Sequence, residues 1–230
     1  MSFPRHANCD KNPVMFGLLN INKPQGMTSR GVVNRVQRML RGAKAGHAGT
    51  LDPLATGVLP LCFGEATKFS QYLLDADKAY TSTFVLGVVT ASGDAEGEVL
   101  ETRDASGITA ELVEQQLAAF RGEIEQVPSM YSALKHEGKP LHKLARKGIE
   151  VKREPRQVEI SRLVLTGWES PECTLEVTCS PGTYVRALAR DLGQALGCGA
   201  HLTGLVRLAS GDFFLENAVT LETFAQAAAE

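Results

Sequence analysis

Two polar side chains, His47 and Asp52, lie five residues apart in a segment rich in glycine and proline, residues 46–60. Three glycines and two prolines in these fifteen residues argue against a helix interior or a central strand, so we expect a shaped loop. Residues 11–51 carry seven Lys or Arg and no acidic residue, which leaves Asp52 as an isolated carboxylate after a basic stretch. Such a carboxylate suits a site that holds a polyanion and performs a reaction. A turn that begins at Asp52 beside a solvated basic face explains the same residues equally well.

The overall composition is that of an ordinary globular protein, with 230 residues, 43% hydrophobic and 22% charged residues, and a net charge of −2. This length allows one large domain or two small ones. The charge is unevenly distributed. Residues 94–125 hold nine acidic and two basic residues, whereas residues 127–153 hold seven Lys or Arg, two Glu and two His. A nearly neutral total can therefore conceal a basic surface that attracts a polyanion.

The five cysteines are odd in number and show no C-x-x-C spacing, which argues against a zinc site or a disulfide framework. A reducing cytoplasm is the simpler environment for such a chain. The N-terminus lacks the apolar run of a signal peptide, and no segment approaches the length of a membrane span. We therefore expect a cytoplasmic protein that has no membrane partner. We also expect residues 1–15 to form a flexible tail and residues 16–230 to form one domain.

Hydrophobic periodicity and turn residues predict short strands interleaved irregularly with helices, which favours an α+β or mixed-sheet domain over a doubly wound one. The predicted strands cover residues 17–23, 77 to about 90, 158–168 and 173–180. One predicted helix begins after Thr28, and the others cover residues 67–74, 109–121, about 185–196 and 220–229. Residues 126–153 differ, because Pro and Gly interrupt a segment in which Lys or Arg recur. We interpret them as a mobile basic arm with a short helix over residues 141–147.

The sequence also excludes several chemistries. It contains no P-loop, no dinucleotide-binding glycine motif, no H-E-x-x-H and no nucleophile elbow. The acidic loop at residues 93–98 lacks the glycine and the later Glu of a calcium loop. What remains is a carboxylate nucleophile or base with cations around it and no cofactor or metal motif.

Several segments are distinctive enough to compare with a known family. They are GHAGTLDP with ATGVLP (residues 46–60), NKPQGMTS (22–29), DKAY (77–80), QVPSMYSALK (126–135), GTYVR (182–186) and CGAHL with Leu205 and Arg207 (198–207). Together they resemble the motifs of the TruB family, the tRNA pseudouridine 55 synthases. The resemblance extends from about residue 15 to residue 222.

This resemblance implies the pseudouridine synthase fold, with a mixed, largely antiparallel central sheet flanked by helices and an inserted basic arm. It also implies that a uridine in the T arm of tRNA, at position 55, is isomerised by breaking its N-glycosidic bond and rejoining the base through C5. The expected partner is the T stem-loop of tRNA. We expect a monomer that needs no obligate protein partner, cofactor or metal. Many relatives continue into a small C-terminal RNA-binding domain, which we expect to be absent here because the chain ends at residue 230.

By the same resemblance, Asp52 is the catalytic carboxylate and Arg186 the arginine that pairs with it. A guanidinium beside a buried carboxylate favours the ionised form. Tyr80 matches the tyrosine that stacks on the target base and helps to remove the C5 proton. The target base must leave its stack, and His47 is expected to occupy the vacated position. The other predicted substrate-binding residues are Lys23, Leu205, which lines the base pocket, and Lys135.

Two other functions fit part of this pattern. An RNA-binding module that assists tRNA folding would use the same basic surfaces, residues 30–44 and 135–153, and the same insertion of His47. The same chemistry on another RNA is the second alternative. Asp52 and Arg186 discriminate against the first, because assistance in folding needs no carboxylate.

Overall fold

The computed structural model describes residues 16–228, so the predicted flexible tail, residues 1–15, lies outside the described residues. The strands are β1 Gly17–Lys23, β2 Ala45–His47, β3 Thr56–Phe63, β4 Lys78–Leu86, β5 Val88–Thr90, β6 Val99–Thr102, β7 Gly122–Gln126, β8 Lys135–His136, β9 Lys139–Pro140, β10 Arg156–Glu169, β11 Glu172–Cys179, β12 Ala200–Ser210 and β13 Phe213–Phe214. The α-helices are α1 Ser29–Met39, α2 Ser70–Leu74, α3 Ala110–Leu117, α4 Leu141–Ala145, α5 Val185–Ala195 and α6 Leu221–Ala227.

A nine-stranded sheet organises the chain. Seven of its strands run in the order β1-β3-β12-β4-β11-β10-β7, while β2 pairs with β3 and β13 pairs with β12. All its pairings are antiparallel except that of β3 with β12. The remaining four strands form two separate hairpins, β5–β6 and β8–β9. The predicted α+β class and the mixed, largely antiparallel sheet are confirmed.

The main core lies between the sheet and the helices α3 and α5. Along β11, alternate residues such as Leu175 and Val177 are buried, as the period of two in the sequence predicts. Phe84 of β4 and Leu188 and Leu192 of α5 are fully buried in the same cluster. A smaller core forms where α1 packs on β1 and β3.

Residues 46–60 contradict the expectation that glycine and proline exclude a central strand, because β3 lies between β1 and β12. Gly57 has a φ of 99°, and a Cβ there would lie 2.3 Å from the Arg207 carbonyl oxygen. The glycine therefore permits the close parallel approach of β12. The Pro60 carbonyl accepts a hydrogen bond from the Ala48 N–H at 2.9 Å, but Pro60 has no N–H to donate. Strand β2 ends one residue before Ala48, at His47.

The basic arm also differs in detail from the prediction. Gln126 belongs to β7 and pairs with Arg156 of β10, so the segment outside the sheet starts after it. Within the arm, β8 and β9 form a hairpin that leads into α4, which ends two residues before the predicted boundary. Mobility of the arm stays a prediction. Across residues 16–228, no helix has the length and apolar character required to cross a membrane.

Candidate active site

Asp52 lies on the loop between β2 and β3, in the wall of a cavity of about 290 Å³. The start of α1 holds this loop, because Ser29 Oγ donates to the Leu51 carbonyl at 3.1 Å and accepts from the Leu51 N–H at 2.8 Å. On the other side of Asp52, the Pro53 carbonyl accepts from the Gly26 N–H at 2.8 Å. The backbone is therefore fixed on both sides of the carboxylate.

Lys23 holds the same loop through hydrogen bonds to backbone carbonyls. Its side chain is fully buried, and Nζ donates to the carbonyls of Met27 at 2.6 Å, Pro24 at 3.0 Å and Pro53 at 3.3 Å. Burial lowers the pKa of Lys23 to about 8, although the nearby Asp52 carboxylate opposes this shift. These bonds make Lys23 a positioning residue for the loop. Direct contact of Lys23 with substrate stays a prediction.

Arg186, in the first turn of α5, connects the loop to the rest of the site. Its Nε lies 3.0 Å from Oδ2 of Asp52, so the structure brings together the pair expected from the sequence. Nη1 lies 3.2 Å from Oδ2 of Asp94 and donates to the Ser92 carbonyl at 3.1 Å, while Nη2 donates to the Tyr131 carbonyl at 2.7 Å. Every nitrogen of this buried guanidinium thus has a partner.

Asp94 is a site residue that the sequence did not predict. It is 4% exposed and accepts a hydrogen bond at Oδ1 from the Glu96 N–H at 3.2 Å. A single bridge with Leu202 ties this acidic loop to β12, and the loop thereby reaches Arg186. The sequence offers one acidic residue among several in a glycine-containing loop. No local signal distinguishes Asp94 from Glu98, because the contact depends on strands distant in sequence.

The pKa of Asp52 is raised above its usual value, chiefly by burial and further by the charge of Asp94. Arg186 and Lys23 act in the opposite direction. Arg186 favours the ionised form of Asp52, as the sequence predicts, but burial outweighs its effect on the pKa. A partly desolvated carboxylate is a stronger nucleophile or base than one in bulk water.

Tyr80 of β4 and Leu205 of β12 line the same cavity as Asp52. Burial raises the pKa of Tyr80, so its phenol is neutral at pH 7. Arg207 lies opposite Tyr80 across the β4–β12 pairing and is also buried. Arg207 Nε donates to the Val58 carbonyl at 2.7 Å and Nη2 to the Gly49 carbonyl at 3.2 Å. Arg207 therefore joins the strand of Leu205 to both ends of the Asp52 loop.

His47 ends β2 and lines a second cavity of about 690 Å³, which it shares with Asp52. Burial lowers the pKa of His47, and the charges of Arg207 and Arg30 lower it further. The imidazole is therefore neutral at pH 7, and a neutral planar ring suits stacking against RNA bases. Lys135 is exposed on β8 and lines neither of these two cavities, so its role stays a prediction.

Comparison with known proteins identifies the family. A family model described as "TruB family pseudouridylate synthase (N terminal domain)" matches residues 37–185. The chain belongs to the TruB family. A second model, described as "tRNA pseudouridylate synthase B C-terminal domain", matches residues 186–230, a stretch that includes β12, α6 and all of α5 except its first residue. The family resemblance inferred from the sequence motifs is confirmed.

Two relatives of this TruB chain are named tRNA pseudouridine synthase B. The one from Pseudomonas aeruginosa (strain UCBPP-PA14) is 58% identical over 214 residues, which cover 93% of this chain and 70% of the relative. The one from Burkholderia mallei (strain NCTC 10247) is 58% identical over 206 residues, with coverages of 90% and 68%.

A chain in the crystal structure of a Cbf5-Nop10-Gar1 complex matches with a TM-score of 0.73 and 32% identity over 93% of this chain. A structure of an H/ACA RNP bound to a substrate RNA containing 2'-deoxyuridine gives a TM-score of 0.69 and 29% identity. This TruB chain spans about half the length of both, 54% and 53%. The predicted pseudouridine synthase fold is confirmed.

The TruB site thus groups most of the predicted residues. Asp52, Tyr80, Arg186 and Leu205 surround the smaller cavity, and His47 lies in the larger one. Across residues 16–228, no cluster of three or more His, Cys, Asp or Glu is arranged to hold a metal ion.

Proposed function

We propose that this protein isomerises a uridine of tRNA to pseudouridine. The observation that carries the proposal is the ion pair of Asp52 with Arg186 in the wall of a cavity large enough for one nucleoside. Tyr80 and Leu205 line the same cavity and offer an aromatic and an apolar surface to a base. The name of the relatives, tRNA pseudouridine synthase B, supports the same reaction and substrate class.

The reaction is an isomerisation, so atoms and electrons balance within the substrate and water. The N1–C1' bond breaks, the base turns in the cavity, and a C5–C1' bond forms. The C5 proton then leaves and N1 takes up a proton, so no net oxidation occurs. In this proposal Asp52 supplies the reacting carboxylate, Arg186 holds it in place, and Tyr80 contacts the base and assists the removal of the C5 proton.

The target we propose is position 55 in the T arm, in keeping with the family resemblance. A base in a folded loop must be flipped out before an enzyme can act on it. His47 supports this step, because its neutral imidazole lines the larger cavity together with Asp52 and can occupy the vacated position. Arg30 and Arg146 line that cavity as well and can contact phosphates.

We further propose that the enzyme is a monomer and acts in the cytoplasm without an obligate protein partner. The solved Cbf5 relative is described in a complex with Nop10 and Gar1, a property of that protein. Cys62, Cys173, Cys179 and Cys198 are buried free thiols, which is in keeping with a reducing compartment.

The test is to map pseudouridine in tRNA incubated with the purified protein. We expect one modified uridine in the T arm with the wild type, and loss of turnover by more than tenfold with Asp52→Asn while tRNA binding is kept. Asp191→Asn, which changes a carboxylate paired with Arg190 instead, is the matched control and should retain activity. Binding of tRNA without any modification by the wild type would favour the RNA-folding module. Modification of a different RNA would favour the other alternative.

A further inference from the structure

Ser132 carries a buried hydroxyl for which the described part of the chain provides no hydrogen-bond partner. The residue is 3% exposed. Burial raises the pKa of the neighbouring Tyr184 phenol and Ser132 partly offsets this, but the two oxygens do not meet hydrogen-bond geometry. Buried polar groups almost always have a partner. A buried hydroxyl without one is available to a ligand that reaches it.

The backbone on which this hydroxyl stands is held firmly. The Ser132 carbonyl lies 3.1 Å from both the backbone N and the ring Nδ1 of His142. The preceding carbonyl, that of Tyr131, accepts from Arg186 Nη2 at 2.7 Å. Arg186 therefore positions both Asp52 and the segment of Ser132. This arrangement fixes the Ser132 backbone relative to the carboxylate.

Ser132 also lies at a particular place in the site. It lines the smaller cavity, which contains Tyr80 and Leu205, and the larger cavity, which contains His47. Asp52 lines both cavities as well. Ser132 and Asp52 therefore share the boundary between the space for a base and the open cleft.

This inference rests on the proposed function, which places the base inside the smaller cavity and the RNA backbone in the larger one. The bond that breaks joins the base to C1', so the target ribose must lie at the boundary, beside Asp52. Within an RNA chain, O3' and O5' of that ribose are esterified and O4' is part of the ring. The 2'-hydroxyl, on the carbon next to C1', is the one free hydroxyl that the ribose presents.

We propose that Ser132 Oγ hydrogen-bonds the 2'-hydroxyl of the target nucleotide and thereby favours ribose over deoxyribose at this position. A serine hydroxyl can donate and accept, as can the 2'-hydroxyl, so the two groups are complementary. Phosphate oxygens only accept, and the guanidinium groups of Arg30 and Arg146 in the larger cavity are better suited to them.

The test is a binding cycle in the Asp52→Asn background, which prevents turnover. T-arm stem-loops carry either uridine or 2'-deoxyuridine at the target position. We expect Ser132→Ala to weaken binding of the uridine stem-loop by about three- to tenfold, the effect of one neutral hydrogen bond. Binding of the deoxyuridine stem-loop should change by less than about twofold, because that ligand lacks the partner.

Ser129→Ala in the same background is the matched control. Ser129 lies on the same segment, but its Oγ accepts from the Tyr131 N–H at 3.1 Å and it lines neither cavity. The control should keep the parent's ratio of affinities for the two stem-loops. An equal loss for both stem-loops with Ser132→Ala, or no loss for either, overturns the inference. Pseudouridine formation by the wild type is measured in parallel, so failure of the proposed function is recognised separately.

Discussion

Asp94 and Asp52 share one guanidinium. Arg186 places Nη1 at 3.2 Å from the buried Asp94 carboxylate and Nε at 3.0 Å from the partly exposed Asp52 carboxylate. Asp94, which lines the larger cavity, thus anchors Arg186, while its negative charge raises the pKa of Asp52. Asp94 therefore orients Arg186 and also opposes the ionisation of Asp52, the carboxylate with which Arg186 pairs.

The first prediction tests this arrangement with Asp94→Asn. Removal of the Asp94 charge should lower the pKa of Asp52, so the acid limb of the pH–rate profile should move to lower pH. The maximal rate should fall by about tenfold or more, because Arg186 loses an anchor and a small misplacement in a site is costly. Single-turnover rates between pH 4 and pH 8 measure both effects. Asp191→Asn, on the same helix as Arg186, should change neither, and an acid limb displaced to higher pH would contradict the arrangement.

A second prediction concerns stability rather than rate. Burial raises the pKa of Asp52 in the folded protein above the 3.8 of an ordinary Asp. The ionised form therefore opposes folding at pH values above the folded pKa, and the effect vanishes below the unfolded pKa. Asp52→Asn should raise the melting temperature at pH 7, and the difference from the wild type should disappear toward pH 3.5.

Thermal melts across this pH range measure the effect, and Asp104→Asn is the control. The Ser106 backbone N–H lowers the pKa of Asp104, so this carboxylate favours folding at neutral pH. Its replacement should therefore act in the opposite direction. Equal melting temperatures of Asp52→Asn and the wild type at pH 7 would show that Arg186 fully compensates for burial.

Local pattern was sufficient to predict much of the fold. β1, α1 with its Thr28 cap, and the alternating β11 follow from periodicity and capping residues. β3 could not be predicted in this way, because Gly57 is required by the close approach of Arg207, about 150 positions later in the chain. A glycine that permits packing of two strands looks, in sequence, like a glycine in a loop.

The site shows the same division. Asp52, Tyr80 and Arg186 were found through motifs, and the structure gathers them around one cavity. Asp94 could not be predicted, because its function depends on the contact with Arg186 of α5 and because acidic residues in loops are common. Lys23 was predicted to bind substrate, but its ammonium group contacts three backbone carbonyls, which no spacing in the sequence reveals.

The third prediction addresses this lysine. Lys23→Met should remove one donor from each of three carbonyls, of which the Pro53 carbonyl keeps the Gly26 N–H, and destabilise the protein by about 3 kcal/mol. For a chain of this size, that loss corresponds to a fall in melting temperature of roughly 10 °C. Lys68→Met is the matched control, because Lys68 is exposed and pairs with Glu65 on the surface. Similar melting temperatures for both variants would show that the Lys23 bonds do not hold the Asp52 loop.

The last prediction concerns the RNA surface. Each phosphate contact releases counterions, so the logarithm of tRNA affinity should fall with the logarithm of salt concentration by about 0.7–0.9 per contact. Arg38 on α1 and Lys143 on the arm are exposed basic residues. Arg38→Ala and Lys143→Ala should each reduce the slope by about one. His47→Ala removes a stacking group instead, so it should impair turnover with little change in slope. Titrations at several salt concentrations decide this, with Lys68→Ala as an exposed lysine outside both regions. Full slopes for both basic variants would exclude α1 and the arm from the RNA surface.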